Sequence, residues 1–135
     1  MSAERRLTYV DSSAIVKLAI AEPESPALRR YLSRRRPLVS SALARTEVGR
    51  ALLPSGPEAV ARGELVLRRI QLLRVNDRVL REAGRMTPPE LGSLDAIHLA
   101  SVRELGSAVS QIVTYDGRMA DAAKACGWTV STPRS

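Results

Sequence analysis

Phenylalanine is absent from this chain, and aromatic residues of all kinds make up only 3% of it. Its core must therefore be built from Leu, Val, Ile and Ala. Cysteine occurs once, as Cys126, so no intramolecular disulfide can form and a reducing cytoplasm is the expected setting. Cys126 itself reads as a small apolar residue on the last helix. Histidine also occurs once, as His98, which together with the single thiol excludes the usual nitrogen and sulfur ligand sets of zinc. No apolar run reaches membrane-spanning length, and the one after the charged stretch Met1 to Arg6 stops at Asp11, too early for a signal peptide. Lys17 and Lys124 are the only lysines, so the positive charge is nearly all arginine.

What remains is a basic chain of 135 residues with formal net charge +7 and 44% hydrophobic content. That length suits one domain over 1–135 and is short for two. Arginine binds phosphate through forked, bidentate contacts, so the excess points to a polyanionic partner, although solubility alone can also account for it. The densest positive patch is Arg34-Arg35-Arg36 with Arg29 and Arg30. Arg34, Arg35, Arg36, Arg45 and Arg50 are the candidate contacts to such a polyanion.

Apolar runs and helical periodicity alternate along the chain. Strands are expected at Leu7 to Val10, Pro37 to Ser40, Leu72 to Val75, Gln111 to Thr114 and Trp128 to Val130. Helices are expected over Ser12 to Ala21, Ser25 to about Arg35, Ala42 to Leu53, Glu58 to about Ile70, Asn76 or Asp77 to about Arg85, Leu94 to Leu105 and Gly117 to Ala125. Ser25, Ser41 and Ser93 are the expected capping hydroxyls. The fold class is α/β, a mostly parallel sheet of about five strands with helices on both faces.

In open α/β sheets ligands bind beyond the carboxyl ends of the strands. Asp11 and Asp116 fall at two such ends, while Glu47 and Asp95 lie in helical stretches between them. Two carboxylates roughly 4 Å apart repel by about 4 kcal/mol at an effective dielectric of about 20. Four around one pocket must either be held partly protonated or be neutralised by a divalent cation. With no Arg or Lys in register with all four, the cation is the more natural answer, and an all-oxygen set suits Mg²⁺ or Mn²⁺. Each acid has a plainer role open to it. Asp11 and Asp116 can cap the helices that follow them, Asp95 can sit favourably in a first helical turn, and Glu47 can pair with Arg45 or Arg50. His98 reads as a packed, hydrogen-bonded histidine in preference to a general base.

Tyr9-Val10-Asp11-Ser12-Ser13-Ala14, Ala44-Arg45-Thr46-Glu47-Val48, Leu94-Asp95-Ala96-Ile97-His98-Leu99-Ala100 and Thr114-Tyr115-Asp116 together resemble the PIN-domain ribonucleases. Within them the similarity is greatest to the VapC-type toxins of bacterial toxin–antitoxin pairs. The resemblance covers the chain in order. It implies a Mg²⁺- or Mn²⁺-dependent endoribonuclease whose metal-binding catalytic residues are Asp11, Glu47, Asp95 and Asp116. It further implies that Ser12, Ser13 and Thr114 orient those carboxylates, with Asp121 a candidate fifth acid. A VapB-type antitoxin and a homodimer are implied in the same way. The alternatives are a nuclease of this fold in RNA processing without an antitoxin, and a non-catalytic RNA-binding module. A phosphoacceptor signalling domain is excluded, because it requires adjacent acids after the first strand and a lysine after a late one.

Overall fold

The computed structural model describes residues 6–134; residues 1–5 and Ser135, the ends of the expected domain, lie outside the described residues. Strands β1 (Leu7–Val10), β2 (Leu38–Ser41), β3 (Gln71–Leu73), β4 (Val109–Val113) and β5 (Val130–Ser131) form one sheet in the order β3-β2-β1-β4-β5. Every pairing is parallel, so the expected mostly parallel sheet is wholly parallel among the described residues.

Strand side chains alternate between the two faces of a sheet, and here the alternation builds two cores. Val10, Leu38 and Val113 join one, packed with α1 (Ser12–Ala19), α2 (Ser25–Ser33), α3 (Ala44–Leu52) and α4 (Pro57–Leu67). Their neighbours Tyr9, Val39 and Ile112 join the other, with α6 (Ser93–Leu105) and α7 (Gly117–Ala125). Helix α5 (Asp77–Ala83) packs against α6. Leu, Val, Ile and Ala fill both cores, joined in the second by Tyr9, Met86 and Met119.

The chain runs outward from β1 to β2 and β3, then returns to place β4 on the other side of β1. The reversal opens a crevice between the carboxyl ends of β1 and β4, where ligands bind in such sheets.

Several boundaries differ from expectation for local reasons. Helix α1 stops at Ala19 because Ile20 turns extended. The Ser25 hydroxyl lies 2.6 Å from the Lys17 carbonyl and 3.0 Å from that of Ile20, and it accepts from the Glu22 amide. Ser25 thus closes the end of α1 instead of capping α2, whose N-cap Glu24 makes no side-chain cap bond. Gly92, and not Ser93, is the N-cap of α6. Asn76 caps α5 by accepting from the Val79 amide at 2.9 Å. Ser41 accepts from the Leu43 amide ahead of α3. Strand β3 ends at Leu73, level with Ser41, the last residue of the β2 strand it pairs with.

Candidate active site

Asp11 leaves β1 at its carboxyl end and is buried. Its Oδ1 accepts from the Ala14 amide at 3.1 Å, which caps α1, and from the Ser13 hydroxyl at 2.6 Å. Its Oδ2 accepts from the Thr114 hydroxyl at 2.5 Å. Thr114 follows β4 and accepts in turn from the Asp116 amide at 3.0 Å, while Ser13 accepts from the Tyr115 amide at 2.8 Å. The two strand ends are stitched together by these hydroxyls. Asp116 then caps α7, its Oδ1 accepting from the Arg118 and Met119 amides. Capping and membership of the acidic cluster are therefore held by the same side chains at both positions.

Helices α3 and α6 bring the other two acids in from opposite faces of the sheet. Glu47 stands in the first turn of α3. Its Oε1 accepts from the Ser12 hydroxyl and from His98 Nε2, the latter at 2.6 Å. Its only ion-pair partner among the described residues is His98, so the pairing with Arg45 or Arg50 is not made. His98 is 2% exposed, and its Nδ1 lies 2.7 Å from the hydroxyl of Tyr9, which is fully buried. The two rings meet edge to face, 82° apart in plane. His98 is thus the packed, hydrogen-bonded histidine expected, with one further contact that the sequence did not disclose, to Glu47.

Asp95 occupies the first turn of α6. Among the described residues its side chain has no hydrogen-bond partner. Burial, followed by the charges of Asp116, Asp11 and Glu47, pushes its carboxyl up from the usual 3.8 to about 6. Burial also raises Asp11, with the Ser13 and Thr114 hydroxyls opposing it. Glu47 goes the other way: burial raises it, but the hydrogen bonds from His98 and Ser12 prevail and hold it below the usual carboxylate range.

The charges of Asp116, Asp11 and Glu47 reach Asp95, yet among the described residues no three of the four acids close into a metal cage. Both oxygens of Asp11 and Oε1 of Glu47 are taken by their hydroxyl, amide and imidazole partners. The donor chemistry nonetheless fits a hard divalent cation. Every contributor is a carboxylate, and Glu47 Oε2, Asp116 Oδ2 and both Asp95 oxygens have no partner among the described residues.

The remaining candidates are spread more widely. Asp121 is exposed on α7 beside Pro88, Glu90 and Leu91, and it is not among the charges that raise Asp95. Arg45 and Arg50 are exposed on α3 with Glu47. Arg34, Arg35 and Arg36 immediately precede β2, as Arg68 and Arg69 precede β3. In a parallel sheet those positions share the amino-terminal edge, about one strand length, roughly 13 Å, from the carboxyl ends. The triplet and the four acids therefore lie at opposite ends of the sheet. Arg35 stacks on the Tyr31 ring, its guanidinium carbon 3.7 Å from the centroid.

A family model described as PIN domain matches residues 8–125, which contain all four acids. The chain belongs to the PIN-domain family. Among proteins of that family, ribonuclease VapC46 of Mycobacterium tuberculosis is 58% identical over 125 residues, covering 93% of this chain and 96% of the relative. Ribonuclease VapC35 of the same species is 39% identical over 132 residues, covering 94% and 97%. In fold, the PIN domain here superposes on VapC20 of Mycobacterium tuberculosis, a toxin that cleaves the sarcin–ricin loop. The TM-score is 0.72 at 20% identity, over 93% of this chain and 99% of the other. A toxin–antitoxin complex from Klebsiella pneumoniae gives the same TM-score at 15% identity, over 93% and 97%.

Proposed function

We propose that this protein is a divalent-metal-dependent endoribonuclease of the VapC type, the toxin of a toxin–antitoxin pair, acting as a single domain in the cytoplasm. One observation carries the catalytic reading. The charges of Asp116, Asp11 and Glu47 reach Asp95, and Asp11 and Asp116 follow the two strands at which the order reverses, in a chain whose relatives are ribonucleases. Asp11, Glu47, Asp95 and Asp116 would hold Mg²⁺, or Mn²⁺ in its place. When bound, the ion supplies a lowered pKa for attacking water and charge neutralisation at the phosphodiester. The chain's own part is orientation. Ser13 and Thr114 fix both oxygens of Asp11, the helix α7 amides fix Asp116, and Ser12 holds Glu47. Asp95, with its carboxyl near 6, gives up its proton at neutral pH and joins the set as a carboxylate.

The basic surface supports a polyanionic substrate. Arg45 and Arg50, exposed on the helix that carries Glu47, would contact RNA near the site, whereas Arg34, Arg35 and Arg36 would reach only a long or folded RNA. For the antitoxin, support comes from a groove between α1, α2 and α4. Leu18, Leu38, Val66 and Ile70 line its floor, and Arg29, Arg36, Arg62 and Arg69 stand around it, a surface suited to an apolar, acidic segment. The homodimer is part of the same proposal. No helix among the described residues is long and apolar enough to cross a membrane.

The test is purified protein against total cellular RNA with Mg²⁺, Mn²⁺ or EDTA, beside Asp95→Asn. Cleavage that needs metal and vanishes in the variant is expected. Salt-sensitive RNA binding without cleavage under any condition would establish the non-catalytic binding module instead.

A further inference from the structure

Tyr9, His98 and Glu47 come from β1, α6 and α3, and their side chains form one continuous line of hydrogen bonds. Helices α6 and α3 serve different cores on opposite faces of the sheet, so His98 reaches from one layer to the other at the carboxyl edge. We propose that His98, held by Tyr9 in the tautomer with its proton on Nε2, is the positioning residue that aims the Glu47 carboxylate into the site. The proposal rests on the metal-dependent reading above.

The direction of the hydrogen bonds follows from what each group can do. A carboxylate only accepts, so the 2.6 Å contact to Glu47 Oε1 needs a proton on Nε2. A neutral imidazole with its proton there has an acceptor at Nδ1, and the Tyr9 hydroxyl 2.7 Å away is the donor that matches. Tyr9 and His98 are both buried and meet edge to face, so the imidazole has neither room nor solvent in which to turn. With Ser12 on the same oxygen, Oε1 is filled and Oε2 is the oxygen left for the site. A glutamate in a helix otherwise has three rotatable bonds and nothing to hold its carboxylate in one direction.

His98 is the only histidine in the chain, so one experiment reads its tautomer without assignment ambiguity. Imidazole ¹H–¹⁵N correlation spectra of the metal-free protein at neutral pH should show the proton on Nε2. A proton on Nδ1 overturns the proposal. Mn²⁺ affinity by isothermal titration calorimetry gives the second reading. His98→Leu should weaken binding about 10–100-fold, the usual consequence of losing an outer partner of a metal ligand. His98→Gln, whose amide can donate from near the Nε2 position, should recover much of that loss. Tyr9→Phe, which leaves the Glu47 contact but frees the tautomer, should fall between them. In a Glu47→Gln background His98→Leu should cost little more. Wild-type affinity in His98→Leu, or losses that multiply with Glu47→Gln, overturns the positioning role. If His98→Leu does not fold, the other two variants carry the same comparison. Wild-type protein that binds no Mn²⁺ overturns the metal-dependent reading itself, a failure distinguishable from a wrong tautomer because the spectrum needs no metal.

Discussion

Replacing Asp95 by Asn should abolish cleavage and yet stabilise the metal-free protein. Asp95 is the one acid of the four whose side chain has no hydrogen-bond partner among the described residues, so its charge carries the cost of the cluster without a local return. Burial, and then the Asp116 charge, raise its carboxyl from 3.8 to about 6. A rise of that size corresponds to about 3 kcal/mol at most, at ~1.4 kcal/mol per tenfold. Part of the side chain meets water, which screens the repulsion and leaves ~1–2 kcal/mol. Its place in the first turn of α6 returns ~0.5 kcal/mol through the helix dipole, which Asn forfeits. The net gain is therefore about 1 kcal/mol, or roughly 4 °C in melting temperature for a chain of this size.

The pH dependence separates this cause from any other. A carboxyl raised in the folded state costs nothing below about pH 4, where both the folded and unfolded chains are protonated. Between about pH 4 and pH 6 the unfolded chain loses its proton first, so wild-type stability falls through that window and the full penalty holds above it. Melting curves in EDTA should thus coincide for wild type and Asp95→Asn near pH 4 and diverge by about 4 °C at pH 7.5. Saturating Mg²⁺ should reverse the order, because binding adds about 2.7 kcal/mol to wild type at a hundredfold excess over Kd. A variant less stable than wild type in EDTA at pH 7.5, or a gap that does not change with pH, would refute the electrostatic argument.

Thr114→Val keeps the shape of a fully buried residue but removes the donor to Asp11 and the acceptor for the Asp116 amide. It should cost about 2 kcal/mol in urea unfolding and about 10–100-fold in cleavage rate. Thr114→Ser should restore both, and wild-type stability in Thr114→Val would contradict the assignment. Substituting Arg34, Arg35 and Arg36 together by Ala should lower the salt slope of RNA binding by about 0.7 for each phosphate that an arginine no longer neutralises. An unchanged slope places the triplet off the RNA. Gly63→Ala would bring a Cβ to 2.5 Å from Cδ1 of the fully buried Leu52, where α4 crosses α3. Overpacking of ~1–3 kcal/mol outweighs the ~1 kcal/mol gained in helix propensity, so chemical denaturation should show a loss of about 1 kcal/mol.

The shared edge of Asp11 and Asp116 was legible because both follow apolar runs, and in a parallel sheet every strand end that leads into a helix lies on the same edge. That rule needs no knowledge of contacts, and it placed Asp11 and Asp116 together from opposite parts of the chain. The pairing of each acid was not legible. Glu47 had Arg50 within a helical turn, and sequence spacing favours such local partners, yet it bonds to His98 and Ser12 from two other elements. A signal existed in retrospect. His98 follows Asp95 by three residues on one helix face, and a buried imidazole beside a carboxylate must spend its second nitrogen somewhere. Tyr9 could have been assigned to that partner from the alternation along β1, which turns it toward the α6 core while Val10 faces the other. Ser25 failed for a related reason. A serine before proline reads as an N-cap, but an N-cap hydroxyl is only a short-range acceptor, and Ser25 is spent on the chain that arrives from α1. The arginine triplet shows the limit from the other side. Its charge was plain in the sequence, while its distance from the acids follows from strand direction, since residues just before a parallel strand stand at the edge opposite to those just after it.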